Sequence, residues 1–185
     1  MPLKNILKEI YMYNESQLRL LIIRPTLLVL GLHSPEAEEL MIGTCAHESL
    51  GGTYLKQVSG IALGAWQMEP STHNDIWKSY LPNQTFIVNK LIDYCKLRDS
   101  LGRDALTGLS RPDPNMMIYH LRYACAMARI HYHRKPEPIP KDLDAQALYY
   151  KLYWNTKLGK ATPEQYIEHY LAFVGEKKKV VKPNK

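Results

Sequence analysis

A helix with both of its ends written into the sequence sets the frame for this chain. Ser34-Pro35-Glu36 is a helix start: a capping hydroxyl, a proline at the first helical position, and an acid for the dipole. Ala37, Leu40, Met41, Thr44 and Cys45 then share one face, and Gly51-Gly52 stops the helix. Glu48 therefore falls in or just beyond the last turn. There the negative end of the helix dipole and partial burial both disfavour its ionised form. A carboxyl so placed has the raised pKa that a general acid needs near neutral pH. A helix-ending glutamate that simply points into water is the bland alternative.

The flanking segments read as mostly helical. Leu3, Ile6, Leu7, Ile10, Tyr11 and Tyr13, then Leu18, Leu21 and Ile22, recur near the helical period until Pro25, which ends or kinks the helix. Residues 53–69 have no helical period and carry short β-type runs between glycines and serines, which predicts a small hairpin or loop pair. Further helices are predicted at about 71–80, 84–97, 114–134 and 143–157. Thr162-Pro163-Glu164-Gln165 is a capping box opening a last helix to about 173. Pro136, Pro138 and Pro140 form an extended spacer. The expected class is mainly α (α+β): one domain over residues 1–175 with a small β element beside Glu48, and a basic flexible tail at 176–185.

Charge and cysteine usage narrow the function. The 185 residues hold 24 Lys+Arg and 18 Asp+Glu, a net +6, which first suggests nucleic acid. Residues 176–185, however, contain five Lys and one Glu, leaving a nearly balanced domain. A short solvated tail cannot by itself make a nucleic-acid groove, so no nucleic-acid partner is expected. Cys45, Cys95 and Cys125 are widely spaced with no CxxC, and are read as small apolar fillers on helices. His47-Glu48 and His131-x-His133 lack metal-ligand spacing, so no metal and no cofactor is expected. Arg122, Arg129 and Arg134 are read as a solvated face, and about two-thirds of the thirteen Tyr as core rings with exposed hydroxyls. The apolar stretch from Leu18 to Leu32 is interrupted by Arg19, Arg24 and Pro25 and is too short to span a bilayer.

Nineteen residues after Glu48 comes Gln67, inside Ala62-Leu63-Gly64-Ala65-Trp66-Gln67-Met68-Glu69-Pro70, with Thr72 following. A Gln amide suits sugar hydroxyls and acetamides, and Trp66 and Tyr54 offer flat faces for sugar rings. This ordered set, Glu48-Ser49, then A-x-G-x-x-Q at 62–67, then Pro70 and Thr72, resembles the core of the soluble lytic transglycosylases, in the lysozyme-like superfamily. The likeness is closest to phage-encoded relatives, which have stretches similar to Ala147–Thr162 and to the helix end Arg129-x-x-Tyr132. The resemblance implies Glu48 as catalytic acid/base, Ser49 as its support, and Gln67 as a substrate contact. Trp66, Tyr153 and Asn155 complete the expected substrate-binding set. The family's Tyr-Asn-x-Gly motif is altered to Trp154-Asn155-Thr156-Lys157, with Tyr153 displaced by one residue. The third motif is only faintly matched at Asp113-Pro114, with Met117 in place of Asn.

The resemblance implies cleavage of the β-1,4 MurNAc-GlcNAc bond of peptidoglycan in phage-type wall lysis. Most glycosidases use two carboxylates, yet none lies between Glu48 and Gln67. The implied route is therefore a lyase, with Glu48 acting as acid and then base to leave 1,6-anhydro ends. Asp75 or Glu69, if either reaches the groove, would open hydrolysis instead; Asp75 also suits a bland role in a helix's first turn. The alternative function is a catalytically degenerate virion or glycan-binding protein. A monomer is expected, made in the host cytoplasm without a signal peptide and not inserted in the membrane. It would reach the wall through a holin-like partner or inside a virion. Deleting residues 176–185 should weaken pull-down by purified cell walls, most visibly at low salt, and leave the rate on soluble glycan fragments unchanged.

Overall fold

The computed structural model describes residues 12–97, 102–103, 110–155 and 159–175. The predicted helix before residue 12, the altered motif positions 156 and 157, and the basic tail lie outside the described residues.

The fold is mainly α. Helix α1 (Glu15–Gln17) runs through a π-helical stretch, Leu18–Ile23, into α2 (Arg24–Val29). Pro25 does not end this helical run, the first of the two outcomes expected for it. Just ahead of it the Arg24 N–H reaches back five residues to the Arg19 carbonyl. This widened turn absorbs a residue that has no N–H to donate. Next come α3 (Pro35–Ser49), α4 (Pro70–Asp75), which continues as a π-helical stretch Ile76–Tyr80, and α5 (Thr85–Tyr94). Two two-residue strands, β1 (Gly102–Arg103) and β2 (Ser110–Arg111), pair antiparallel. Helices α6 (Met116–Tyr119), α7 (Leu121–His133), α8 (Leu143–Tyr150) and α9 (Pro163–Val174) follow among the described residues. Lys151–Asn155 extends α8 as a third π-helical stretch.

This strand pair falls outside residues 53–69, the segment where the small β element was expected. Residues 53–69, where a hairpin or loop pair was expected, form a loop pinned by two isolated bridges, Lys56 to Leu63 and Leu63 to Met68. The predicted helix 114–134 is also two. His120 breaks it and caps α7, its Nδ1 accepting from the Tyr123 N–H while its Nε2 lies 3.0 Å from the Cys95 carbonyl oxygen. Histidine is an uncommon N-cap, so the sequence carried no conventional start signal there.

Helix α3 is the central rod. Ser34 Oγ caps it by accepting from the Ala37 N–H, and most of its residues are buried. It crosses α9 and also touches α7 and α8. A tyrosine from each of these neighbours meets it. Tyr132 Oη is 2.8 Å from Thr44 Oγ1, Tyr166 donates to the Leu40 carbonyl, and Tyr150 reaches Glu48. All three cysteines are buried and free. Of the arginines expected on a solvated face, Arg129 is instead buried, its Nε donating to the Leu32 carbonyl. Arg134 pairs with Asp75 at 2.9 Å, and Arg122 lies over the Tyr94 ring. Their shared helix has only a narrow side facing solvent.

The start of α3 is locked electrostatically. Glu38 is buried and accepts from Arg24 at 2.6 Å and 2.9 Å, with His33 at 2.8 Å. Arg19 forks onto Glu39 with bonds of 2.6 Å and 2.9 Å while its Nε holds Glu15. Despite burial, these partners pull the Glu38 carboxyl down to about 2. Its stabilising contribution is therefore complete above the ordinary glutamate range and lost as pH falls towards 2. Glu38→Gln should cost about 2–3 kcal/mol at neutral pH, discounting for the partly exposed Arg24. In urea melts the gap from wild type should close as the pH is lowered from 5 to 2.

Candidate active site

The end of α3 is built by left-handed backbone. Leu50, Gly51 and Gly52 have φ of 48°, 60° and 86°. The stop therefore begins one residue before the glycines, at a leucine in a conformation that costs a non-glycine residue roughly 1–2 kcal/mol. Gly51 N–H closes the helix onto the Cys45 carbonyl. Ser49 secures the turn. It is fully buried, its Oγ lying 2.6 Å from the Ala65 carbonyl oxygen and accepting from the Gly52 N–H at 2.8 Å. Ser49 thus faces away from any substrate. It fixes the helix end bearing Glu48 to the 62–68 loop.

That loop turns back on itself through Gly64 and Gln67, both at positive φ. Gly64 is required: a Cβ there would stand 2.4 Å from the Met117 carbonyl oxygen. Gln67 donates from Nε2 to the carbonyls of Gly64 and Tyr54, at 2.7 Å and 2.9 Å. Both amide hydrogens are thereby used on the loop itself. What Gln67 can offer a ligand is its carbonyl oxygen, an acceptor. Trp66 does not offer a flat face. It is buried, and its indole N–H donates to the Met41 carbonyl at 2.9 Å. It holds the loop against α3, which corrects its expected place among the substrate contacts.

Glu48, Gln67, Asn155 and Trp154 line one cleft of about 490 Å³, together with Gln57, Ala62, Met68, Glu69, Thr72, His131 and Gly159. Tyr153, expected there, is absent from the lining: it packs edge-on against Tyr149 with the Lys135 ammonium over its ring. Its neighbour Trp154 takes the position instead. Asn155 is held by Lys151, whose Nζ donates to its Oδ1 at 2.8 Å and to the Gly159 carbonyl at 2.7 Å. Gly159 lets the chain pass this closely, since a Cβ on it would lie 2.2 Å from Asn155 Oδ1. The glycine that the altered motif lacks at position 157 stands two residues later in the sequence.

One donor is fixed on Glu48: Tyr150 Oη donates to its Oε1 at 2.5 Å. The Trp154 indole, which shares the cleft wall, also favours the charged form of the carboxyl. Tyr150 is itself fixed by stacking on Tyr166, centroids 4.8 Å apart. Burial pushes the Glu48 carboxyl up to about 7, against the pull of Tyr150 and Trp154. The neighbouring imidazoles do not reverse this. Burial drives His47 and His131 down to about 4, so at neutral pH neither presents a cation to the carboxylate. Asp75 stays out of the cleft lining, exposed and bound to Ser79 and Arg134. Among the described residues no cluster of three His, Cys, Asp or Glu could hold a metal ion, and no helix is long and apolar enough to cross a membrane.

Tyr150 and Trp154 were missed as Glu48 partners by sequence reasoning. The one signal for them was the altered Tyr-Asn-x-Gly stretch itself. No protein-family model matches the chain, and comparison with curated proteins and with solved structures found no match.

The raised Glu48 pKa carries a stability consequence. The folded state holds the Glu48 proton up to about 7, whereas an unfolded glutamate loses it near 4.5. Folding is therefore increasingly penalised as pH rises through that window. The full shift corresponds to about 3 kcal/mol, trimmed to about 1–2 kcal/mol by exposure at the cleft. Glu48→Gln should leave stability unchanged at pH 4.5 and raise the melting temperature above wild type by pH 8.

Proposed function

We propose that the chain is a lysozyme-like, phage-type wall-lytic enzyme that cleaves the β-1,4 MurNAc-GlcNAc bond of peptidoglycan with Glu48 as its general acid. The observation that carries this reading is a largely enclosed carboxyl on the wall of a cleft, held by the Tyr150 hydroxyl at 2.5 Å and pushed up to about 7 by burial. A carboxyl in that range is partly protonated at the pH at which it must give the proton away. Once it has done so, the Tyr150 hydroxyl and Trp154 indole N–H stabilise the carboxylate left behind. They act on the charge that the reaction creates, without rearranging.

The walls of the cleft suit a glycan. Trp154 presents an aromatic surface, and Asn155 and Thr72 bring hydrogen-bonding groups. The Gln67 carbonyl oxygen accepts from a sugar hydroxyl or an acetamido N–H. With Glu48 alone the reaction ends as the sequence resemblance implies. Glu48 protonates the leaving oxygen, the substrate's N-acetyl oxygen supports the anomeric carbon, and the Glu48 carboxylate then takes the proton of the sugar's own C6 hydroxyl. That route, in which no second carboxylate takes part, would leave a 1,6-anhydro end. The wall is also polyanionic, which gives the basic sequence at 176–185 a partner in the surface rather than in the cleft. Access to the wall requires a holin-like partner or carriage in a virion.

Glu48→Gln should abolish clearing of cell-wall suspensions, a loss of about a hundredfold or more, with wild-type binding to the wall retained. Undiminished lysis by this variant would remove the assignment. The alkaline limb of the wild-type rate profile should fall near pH 7. Tyr150→Phe should move that limb upward, because its hydrogen bond favours the charged carboxylate.

A further inference from the structure

The lyase ending makes no use of a second acid, yet the cleft contains one. Glu69 lines the same cavity as Glu48. It reaches there because the loop that turns at Gln67 runs directly into α4, whose first residue is Pro70. Glu69 is that helix's N-cap in an extended conformation, φ −71° and ψ 143°, and its side chain makes no capping bond. It is solvent-exposed, and its Oε2 accepts from the Ser71 hydroxyl at 3.2 Å. The two carboxyls thus differ in kind: Glu48 is enclosed by aromatic donors, and Glu69 stands where water reaches it.

Building on the glycan-cleavage reading of this cleft, we infer that Glu69 is a second catalytic carboxylate, a general base that delivers water to the anomeric carbon and makes the reaction a hydrolysis. Glu48 gives its proton to the departing O4 as the C1–O4 bond breaks. Glu69 takes one proton from the attacking water as the C1–O bond forms. The product is a reducing-end MurNAc and a free GlcNAc O4 hydroxyl, and the proton on Glu69 returns to Glu48 through solvent. Division of labour between an enclosed acid and a hydrated base is what a single-displacement glycosidase requires, and it inverts the anomeric configuration. The substrate's C6 hydroxyl then has no role as a proton donor. Asp75, the other carboxylate within reach in sequence, is excluded by its bonds to Ser79 and Arg134 outside the cleft.

The full chain should be incubated with purified peptidoglycan in heavy-oxygen water and the muropeptides read by mass spectrometry. Reducing ends carrying one heavy oxygen are expected, with the α anomer formed first in a proton NMR time course. Glu69→Gln should reduce their release by about a hundredfold, while Glu69→Asp restores part of it. Glu69 is exposed, so the Gln variant should melt as wild type does. Anhydro ends without heavy oxygen, or wild-type rates from Glu69→Gln, overturn this inference while leaving Glu48-dependent cleavage intact. Absence of any Glu48-dependent product removes both.

Discussion

The Ser49 hydroxyl is the point through which the candidate site is assembled. Its oxygen sits between the last turn of α3, the carbonyl of Ala65 and the N–H of Gly52. One side chain thereby fixes the end of the central helix, the left-handed turn after it, and the 62–68 loop opposite. Glu48 belongs to the first of these and Gln67 to the last. Buried, and bonded to backbone groups on both sides, the hydroxyl cannot be removed without leaving polar atoms unpaired in the core. The strain at Leu50 is held in the same place, because the left-handed run from Leu50 to Gly52 turns the chain into this knot.

The electrostatics divide along α3. Its start is a charged region in which Glu38 and Glu39 are matched by Arg19 and Arg24. Its end is a ring of neutral or weakly basic groups: Tyr150, Trp154, His47 and, across from His47, His169 with the two Nδ1 atoms 3.0 Å apart. The same residue type therefore has opposite character at the two ends. Glu38 is buried, with 3% of its surface exposed, yet it stays ionised because Arg24 and Arg19 offset its desolvation. Glu48 has only neutral donors, so burial wins and its proton is retained to about pH 7. The helix dipole acts in the same sense at both ends, favouring the carboxylate at the start and opposing it at the end.

Local signals were legible and long-range ones were not. Caps at Ser34 and Thr162 are side-chain-to-backbone bonds within three residues, so the sequence displays them. Glu48 and Gln67 were legible because helix-stop chemistry and a glycine turn place them. Trp66 was misjudged because an aromatic residue in a glycine-rich loop can face a ligand or the core, and the carbonyl that decides it belongs to Met41, on another element. Arg129 was misjudged for the same reason: its acceptor is the carbonyl of Leu32, far away in the chain. Pro25 marks a third kind of miss. The rule that proline ends a helix assumes α geometry, and a π-helical stretch removes the bond that proline would have broken.

The same departure from α geometry explains the far wall of the cleft. In a regular α-helix a residue five positions after Tyr150 points about 140° away from it, so Tyr150 and Asn155 could not serve one site. Lys151–Asn155 is π-helical, and its wider turn keeps positions four and five residues on towards the same side. Trp154 and Asn155 both line the cleft, Tyr150 donates to Glu48, and the Trp154 indole favours the charged form of the same carboxyl. Lys151 then holds the end of that turn through Asn155 and Gly159. A π-turn is a less favourable way to spend backbone hydrogen bonds than an α-turn, and such turns gather at functional sites. Here its effect is to keep Trp154 and Asn155 on the cleft wall while Tyr150 holds the Glu48 carboxyl, an arrangement that a helix of ordinary pitch would have to choose against presenting Asn155.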